Sequence, residues 1–182
     1  MTTKNHRLLF ISILILSAAF SRLIPHPANF TAIGAMALFA GARMRFGAGG
    51  LVIPMVALLL SDVIIGFHTT MWGVYVGFVL VWLIGNIWLK EGGFRKIAIA
   101  SIGGSTLFFL VSNFAVWMQG TYYPLSLEGL AACYAAAIPF YSNDIFGSFA
   151  LNSVMGDLFF NGVLLGALSL YSRFALKPSA AH

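Results

Sequence analysis

Phe30-Thr-Ala-Ile-Gly-Ala-Met-Ala-Leu-Phe-Ala-Gly-Ala-Arg-Met-Arg45 is the stretch on which the topology turns. It is apolar and built largely from small residues. Its apolar part, Phe30–Ala42, is nonetheless shorter than the roughly 20 helical residues a bilayer asks of one span. Taken alone, it fits a re-entrant loop as well as a crossing. Arg43 and Arg45, read against the rest of the chain, decide between the two.

The 182-residue chain is 60% hydrophobic and only 8% charged, against roughly 25% charged residues in a soluble domain. So few charges leave too little polar surface for a water-exposed shell, and the apolar runs must face lipid. Six such runs stand out: Leu8–Ile24, Phe30–Ala42, Leu51–Phe67, Trp72–Leu89, Ile97–Trp117 and Phe149–Phe174. With all six crossing, Lys4, Arg7, Arg43, Arg45, Lys90, Arg95, Lys96, Arg173 and Lys177 share one side, and Arg22 is the one basic residue of the ten left on the other. Cytoplasmic loops are the Lys/Arg-rich ones, so both termini are expected in the cytoplasm. Were Phe30–Ala42 not a span, Arg43 and Arg45 would be stranded outside. It is therefore read as a span of about 30–45, its arginines snorkelling at the inner end. The expectation is an all-α polytopic membrane protein in one domain, a six-helix bundle.

Leu130–Phe140 is apolar but too short to cross, and a crossing there would move Arg173 and Lys177 outside. It reads as an extra short interfacial helix on the outer side, ended near Pro139. Ser142-Asn143-Asp144 then offers N-cap residues for the last helix, which is long enough to predict a break or tilt near Gly147. Lys4 and Arg7 before an apolar run that closes on Ala19-Phe20-Ser21 also fit a cleavable signal peptide. The length of the run, and the polar loop it leads into, favour a retained span.

Ionisable and amide side chains are costly in a membrane, so each poses a functional question. On this topology Arg22, His26, Asn29, Asp62, His68, Asn113, Asn143, Asp144, Asn152 and Asp157 all map to the outer half, and the inner half offers only loop charges and Asn86. A proton or ion path needs polar steps through the whole thickness, so the asymmetry points instead to a site open to the outside. Arg22 also fits a structural pair with Asp62 or Asp157, and Asn113 and Asn152 fit interhelical hydrogen bonds. Trp117, Tyr122 and Tyr123 belong either to the interfacial aromatic belt or to the wall of a pocket for a flat ligand. Gly73 with Gly77, Ala100 with Gly104, and Gly162 with Gly166 are spaced for close helix contacts, within the chain or with a partner.

Several chemistries are absent. The single cysteine, Cys133, rules out an intrachain disulfide or a Cys-based metal cluster. No P-loop, nucleophile elbow or H-E-x-x-H run occurs, and no cofactor is expected. Asp62, His68 and Asp157 are the one set suited in principle to acid–base work, and no enzyme activity is expected. The net charge of +5 sits in short clusters between apolar runs, a topology signal and not a nucleic-acid-binding one.

Arg22-Leu-Ile-Pro-His-Pro-Ala-Asn-Phe-Thr-Ala-Ile-Gly-Ala-Met-Ala-Leu-Phe-Ala-Gly41, Leu60-Ser-Asp62, Gly66-Phe-His68, Ser112-Asn-Phe-Ala-Val-Trp117, Tyr123-Pro124, the run from Tyr134 to Phe140 and Gly156-Asp157 resemble an uncharacterised bacterial family described as candidate transport proteins. The likeness runs over nearly the whole chain and implies the bacterial inner membrane. More distantly, the six-span plan and the Asn-Phe-Thr opening of the second span resemble the substrate-capture (S) components of energy-coupling-factor vitamin transporters. Those proteins bind a vitamin in an outward-facing pocket and borrow a coupling membrane subunit and ATPases. Their Ala-x-x-x-Ala contact motif on helix 1 is missing here, with Ser17 and Ser21 nearest to it, and Cys133 is not placed like the ligand cysteine of the solitary cobalamin-binding branch. The expected function is a substrate-binding subunit for uptake of a vitamin-like small molecule. In that role Asp62, Asn113 and Asp157 orient the ligand, Trp117, Tyr122 and Tyr123 cover it, and Arg22 and His26 shape the loop between the first two helices. A secondary carrier with a proton site at Asp62 or Asp157, and a membrane enzyme or assembly scaffold, are the alternatives.

Overall fold

Two prolines and one left-handed residue separate the first helix from the second. Pro25 and Pro27 cannot donate backbone hydrogen bonds, and Asn29 adopts φ 61°, a region Asn tolerates better than most side chains. Helix therefore resumes only at Ile33, three residues later than the apolar run Phe30–Ala42 predicts. The computed structural model describes residues 3–27, 29–44, 48–89, 94–138 and 149–175. The regular structure in these segments is all helical: α1 (Thr3–Phe20) with a 3-10 turn at Ser21–Leu23, α2 (Ile33–Met44), α3 (Ala48–Ile65), α4 (Met71–Trp88), α5 (Phe94–Met118), α6 (Leu127–Ala136) and α7 (Phe149–Ala175).

The helices run back and forth between two ends of a bundle. One end carries the α3–α4 loop with His68, and the other carries Arg43 at the close of α2. α2 lies in the middle, touched by α1, α3, α4, α5 and α7, and every residue from Ile33 to Ala42 is buried. Its composition makes this possible, because Gly and Ala let neighbouring backbones approach closely. A Cβ at Gly41 would lie 2.1 Å from the Trp82 carbonyl oxygen, and one at Gly85 would lie 2.3 Å from the Leu38 carbonyl oxygen. α2 and α4 thus meet backbone to backbone. Phe10 of α1 stacks on Tyr171 of α7 at 4.2 Å, joining the first helix to the last, and α1 gives Ile11, Ile15, Ala18 and Ala19 to the core.

α3 contains Pro54 in its interior. Proline leaves the carbonyl four residues earlier without its helical donor, and here that carbonyl belongs to Gly50. The Trp82 indole N–H donates to it at 2.7 Å, so a side chain of α4 repairs the break in α3.

Among the described residues, four helices are long and apolar enough to cross a membrane: Asn5–Leu23, Met71–Trp88, Arg95–Met118 and Leu151–Phe174. These are the helices of a membrane protein. The six-span count is not reached on length, because Ile33–Met44 and Gly50–Ile65 are shorter. The extra helix expected at Leu130–Phe140 forms at Leu127–Ala136, earlier because Ser126 caps it by accepting from the Gly129 N–H at 3.1 Å. Its predicted end at Pro139, the Ser142-Asn143-Asp144 cap and the break near Gly147 lie outside the described residues. Of the small-residue pairs, Gly73 and Gly77 pack on Ala115 and Phe108 of α5, and Gly104 packs on Val81 of α4. Gly162 and Gly166 face open space.

Gly41→Val should prevent folding or cost about 3 kcal/mol, the upper range for overpacking, because a backbone carbonyl cannot step aside. Gly162→Val should be close to neutral. Thermal unfolding of the two variants in detergent, followed by size-exclusion recovery, reads the difference.

Candidate binding cavity

α5 presents Ser105, Phe108, Phe109, Ser112 and Asn113 along one face, the spacing i, i+3, i+4, i+7, i+8 that places residues on a single helical stripe. That stripe, about 12 Å long at the helical rise, forms one wall of a cavity of about 280 Å³. Asn29 and Thr31 of the irregular segment, Ile33 and Gly34 opening α2, Val74 of α4, and Ser153 and Asp157 of α7 complete it together with Arg22 and His68. Irregular backbone is tolerated at membrane depth only where protein buries it or where it lines a cavity. The Asn29–Thr31 segment does the latter.

Two carboxylates stand near this cavity in opposite conditions. Asp62 is engaged at both oxygens and paired with a cation: Arg22 Nη1 donates to Oδ1 at 2.6 Å and the Tyr75 hydroxyl donates to Oδ2 at 2.9 Å. The same Nη1 lies 2.6 Å from Ser61 Oγ, whose own hydroxyl donates to the Leu58 carbonyl at 2.7 Å. The Arg22 and Asp62 side chains are only 11% and 5% exposed. Of the two partners that the sequence offers Arg22, the structure selects Asp62.

Asp157 is 5% exposed and, among the described residues, has no cationic side chain bonded to it. Its Oδ1 accepts the Ala35 N–H at 2.7 Å, and its Oδ2 accepts from the Ser105 hydroxyl at 2.5 Å. Ala35 is the third residue of α2, where the first N–H groups of a helix have no intrahelical acceptor. Ala32, just before the helix, has no side chain that caps. A carboxylate from α7 therefore fills the role an N-cap Asp ordinarily plays, and the positive end of the helix favours it there. Gly34 is required by this arrangement, since a Cβ on it would fall 2.3 Å from Asp157 Oδ2.

Polar groups continue below Asp157. Ser105 Oγ also lies 2.8 Å from the Ser101 carbonyl, and Asn161 Nδ2 donates to Ser101 Oγ at 2.9 Å. Ser101, Ser105 and Asn161 are all buried. The expectation that only Asn86 and loop charges occupy the half nearer Arg43 is thereby corrected. The signal was available in Ser101 and Ser105, one turn apart on α5, but short hydroxyl residues are common in helices and carry little weight alone.

Of the expected site residues, Arg22, Asn29, His68, Asn113 and Asp157 line the cavity. Asp62 stands behind it, held by Arg22. Asn152 is fully buried next to the lining Ser153. Asn113 does not bridge helices through its amide, whose Nδ2 returns to the Phe109 carbonyl of its own helix at 2.8 Å. His26, Trp117, Tyr122 and Tyr123 do not line the cavity. His26 is exposed on a separate groove with Nδ1 2.9 Å from the Pro27 carbonyl, the Trp117 indole donates to the Pro124 carbonyl at 3.0 Å, and Tyr122 is 76% exposed. The aromatic wall comes from Phe108 and Phe109 instead. With Asp62 committed to Arg22 and Tyr75, the triad of Asp62, His68 and Asp157 is not assembled as an acid–base set.

Residues 2–179 match the model of a family of unknown function, DUF6580. The chain belongs to this family. No curated protein and no solved structure matches it.

Arg22→Ala strands a buried carboxylate and should cost about 3–5 kcal/mol, the usual penalty for breaking one side of a buried pair. Pairing it with Asp62→Asn should recover part of that loss. Asp157→Ala should cost about 1–2 kcal/mol as a lost helix cap, whereas Asp157→Asn retains an acceptor for Ala35. Chemical denaturation of the four variants in one detergent tests the order.

Proposed function

We propose that this protein is a membrane-embedded substrate-binding subunit for uptake of a small, vitamin-like molecule. The observation that carries this reading is the cavity itself: four helices, the 3-10 turn at Arg22, the Asn29–Thr31 segment and the His68 loop bring charged, amide, hydroxyl and aromatic side chains around a space of about 280 Å³. Ligand sites combine apolar walls with a few converging polar groups in this way. The volume sits at the low end of the roughly 300–1,000 Å³ usual for such sites, which favours a one- or two-ring molecule over a corrinoid.

Six crossings, with α2 and α3 among them and both termini in the cytoplasm, would open the cavity to the outside. The charge division between loops supports that orientation. A separate coupling membrane subunit with ATPases would energise transport, in keeping with the lack of a P-loop. Ser17 on the exposed side of α1, or the uncontacted Gly162 and Gly166 of α7, offers a face for it.

A proton-coupled secondary carrier is the second reading. The run of buried polar groups from Asp157 through Ser105 and Ser101 to Asn161 favours it.

Native mass spectrometry of the detergent-purified protein should reveal a co-purified small molecule, lost in Ser153→Phe, which fills the cavity. The capture reading fails if wild-type protein carries no ligand and vitamin uptake by cells is unchanged by Ser153→Phe. Flux into liposomes driven by a pH gradient alone, with no ATPase present, would favour the carrier.

A further inference from the structure

We infer that the cavity selects a cationic ligand, a small flat molecule whose positively charged nitrogen group pairs with Asp157. The inference rests on the reading of the cavity as a small-molecule site and adds the charge and shape of what enters it.

Charge accounting around the cavity leads to this assignment. Four side chains that carry or can acquire charge face it or stand directly behind it: Arg22, Asp62, His68 and Asp157. Tyr75, behind Asp62, is the nearest other titratable group. Arg22 is neutralised by Asp62 at 2.6 Å, and Tyr75 adds a third bond to that pair. His68 lies in the exposed α3–α4 loop, its Nδ1 2.8 Å from the Thr70 hydroxyl. The segments of α2 and α5 that touch Asp157 bring only Gly34, Ala35 and Ser105 to it, none of them charged. Asp157 is therefore the one buried acid among the described residues whose partners are all neutral.

A buried carboxylate is ordinarily paired, because neutral donors alone offset only part of its desolvation. The start of α2 would otherwise attract an anion, but Asp157 already occupies it. The positive end of the helix is thus answered from within the protein, and the cavity's remaining demand is for positive charge beside Asp157. Phe108 and Phe109 on the same wall offer ring faces, which attract cations and stack on flat rings. Asn113, whose Nδ2 is turned back to its own helix, can present its carbonyl oxygen as a further acceptor. Each of these features favours an amidinium, a protonated aminopyrimidine or a similar planar cation over a carboxylate or phosphate.

The test uses an isosteric series on the full-length protein in detergent: benzamidine (cationic), benzamide (neutral) and benzoate (anionic). Isothermal titration calorimetry, with thermal shift alongside, measures wild type and Asp157→Asn, a change that retains the acceptor for the Ala35 N–H. The expected result is that benzamidine binds wild type at least tenfold more tightly than either analogue. Asp157→Asn should keep its thermal stability and lose that preference. Equal or tighter binding of benzoate or benzamide, abolished by Ser153→Phe, overturns the cation assignment and leaves the small-molecule site standing. A benzamidine preference unchanged in folded Asp157→Asn also overturns it. No binding of any of the three at millimolar concentration overturns the cation assignment, and the site itself then stands or falls on the co-purified ligand and its loss in Ser153→Phe.

Discussion

The structure depends on a central helix that is too short for its place. α2 has 12 residues, about 18 Å at the helical rise, inside a bundle whose longer helices are built for a hydrocarbon layer of about 30 Å. It cannot reach both ends, and its last turn, with Arg43, lies at one of them. Its first turn therefore begins at depth, with N–H groups that no water-exposed loop can satisfy. Around that fact the rest is arranged. An irregular segment with two prolines and a left-handed Asn29 must descend to meet the helix, and Asp157 of α7 must supply the missing cap. The space that a longer helix would have filled is the cavity.

What fixes α2 sideways is equally specific. Gly41 and Gly85 let α2 and α4 touch through their backbones, a contact that leaves no side chain to adjust. α4 in turn holds α3 through the Trp82 indole on the Gly50 carbonyl that Pro54 leaves open. Helices α2, α3 and α4 thus form one interlocked unit, with the Arg22–Asp62–Tyr75 network binding the end of α1 to α3 and α4. α7 meets α2 differently. It does so through a buried carboxylate on the helix start, with Gly156 close to the Thr31 backbone just before that helix and open space beside Gly162 and Gly166.

Much of this was legible in the sequence, and the limits were physical. Composition and periodicity identified the apolar helices, and the polar residues gathered at one end where the cavity lies. Arg22 and Asp62 read as possible partners because both are charges within apolar runs. The link from Asp157 to Ala35 did not, since it spans 122 positions and one partner is a backbone N–H that no residue type announces. Trp117, Tyr122 and Tyr123 drew attention as aromatics, yet they lie beyond the helix ends or turn toward Pro124. Phe108 and Phe109 were hidden among the many phenylalanines of α5, where only their register with Ser105, Ser112 and Asn113 separates them from lipid-facing neighbours. The length of α2 was misread at its start because apolar composition extends to Phe30, while the backbone preferences of Pro25, Pro27 and Asn29 stop the helix from following it.

The position of Asp157 ties occupancy of the cavity to the joint between α7 and α2. Below it the polar run ends at Asn161, and Leu164 and Leu168 close the way as buried apolar residues. A solute passing toward the Arg43 end would have to part α7 from its neighbours. The interlocked α2–α3–α4 unit is the poorer place to open, because α2 and α4 meet backbone to backbone, whereas the start of α2 is tied to α7 through a carboxylate that it shares with a serine. A group that draws the carboxylate toward the cavity weakens its hold on Ala35 and Ser105 together, since the same two oxygens serve all three. In the capture role proposed above, loading the site and loosening the seam beside it would be one event.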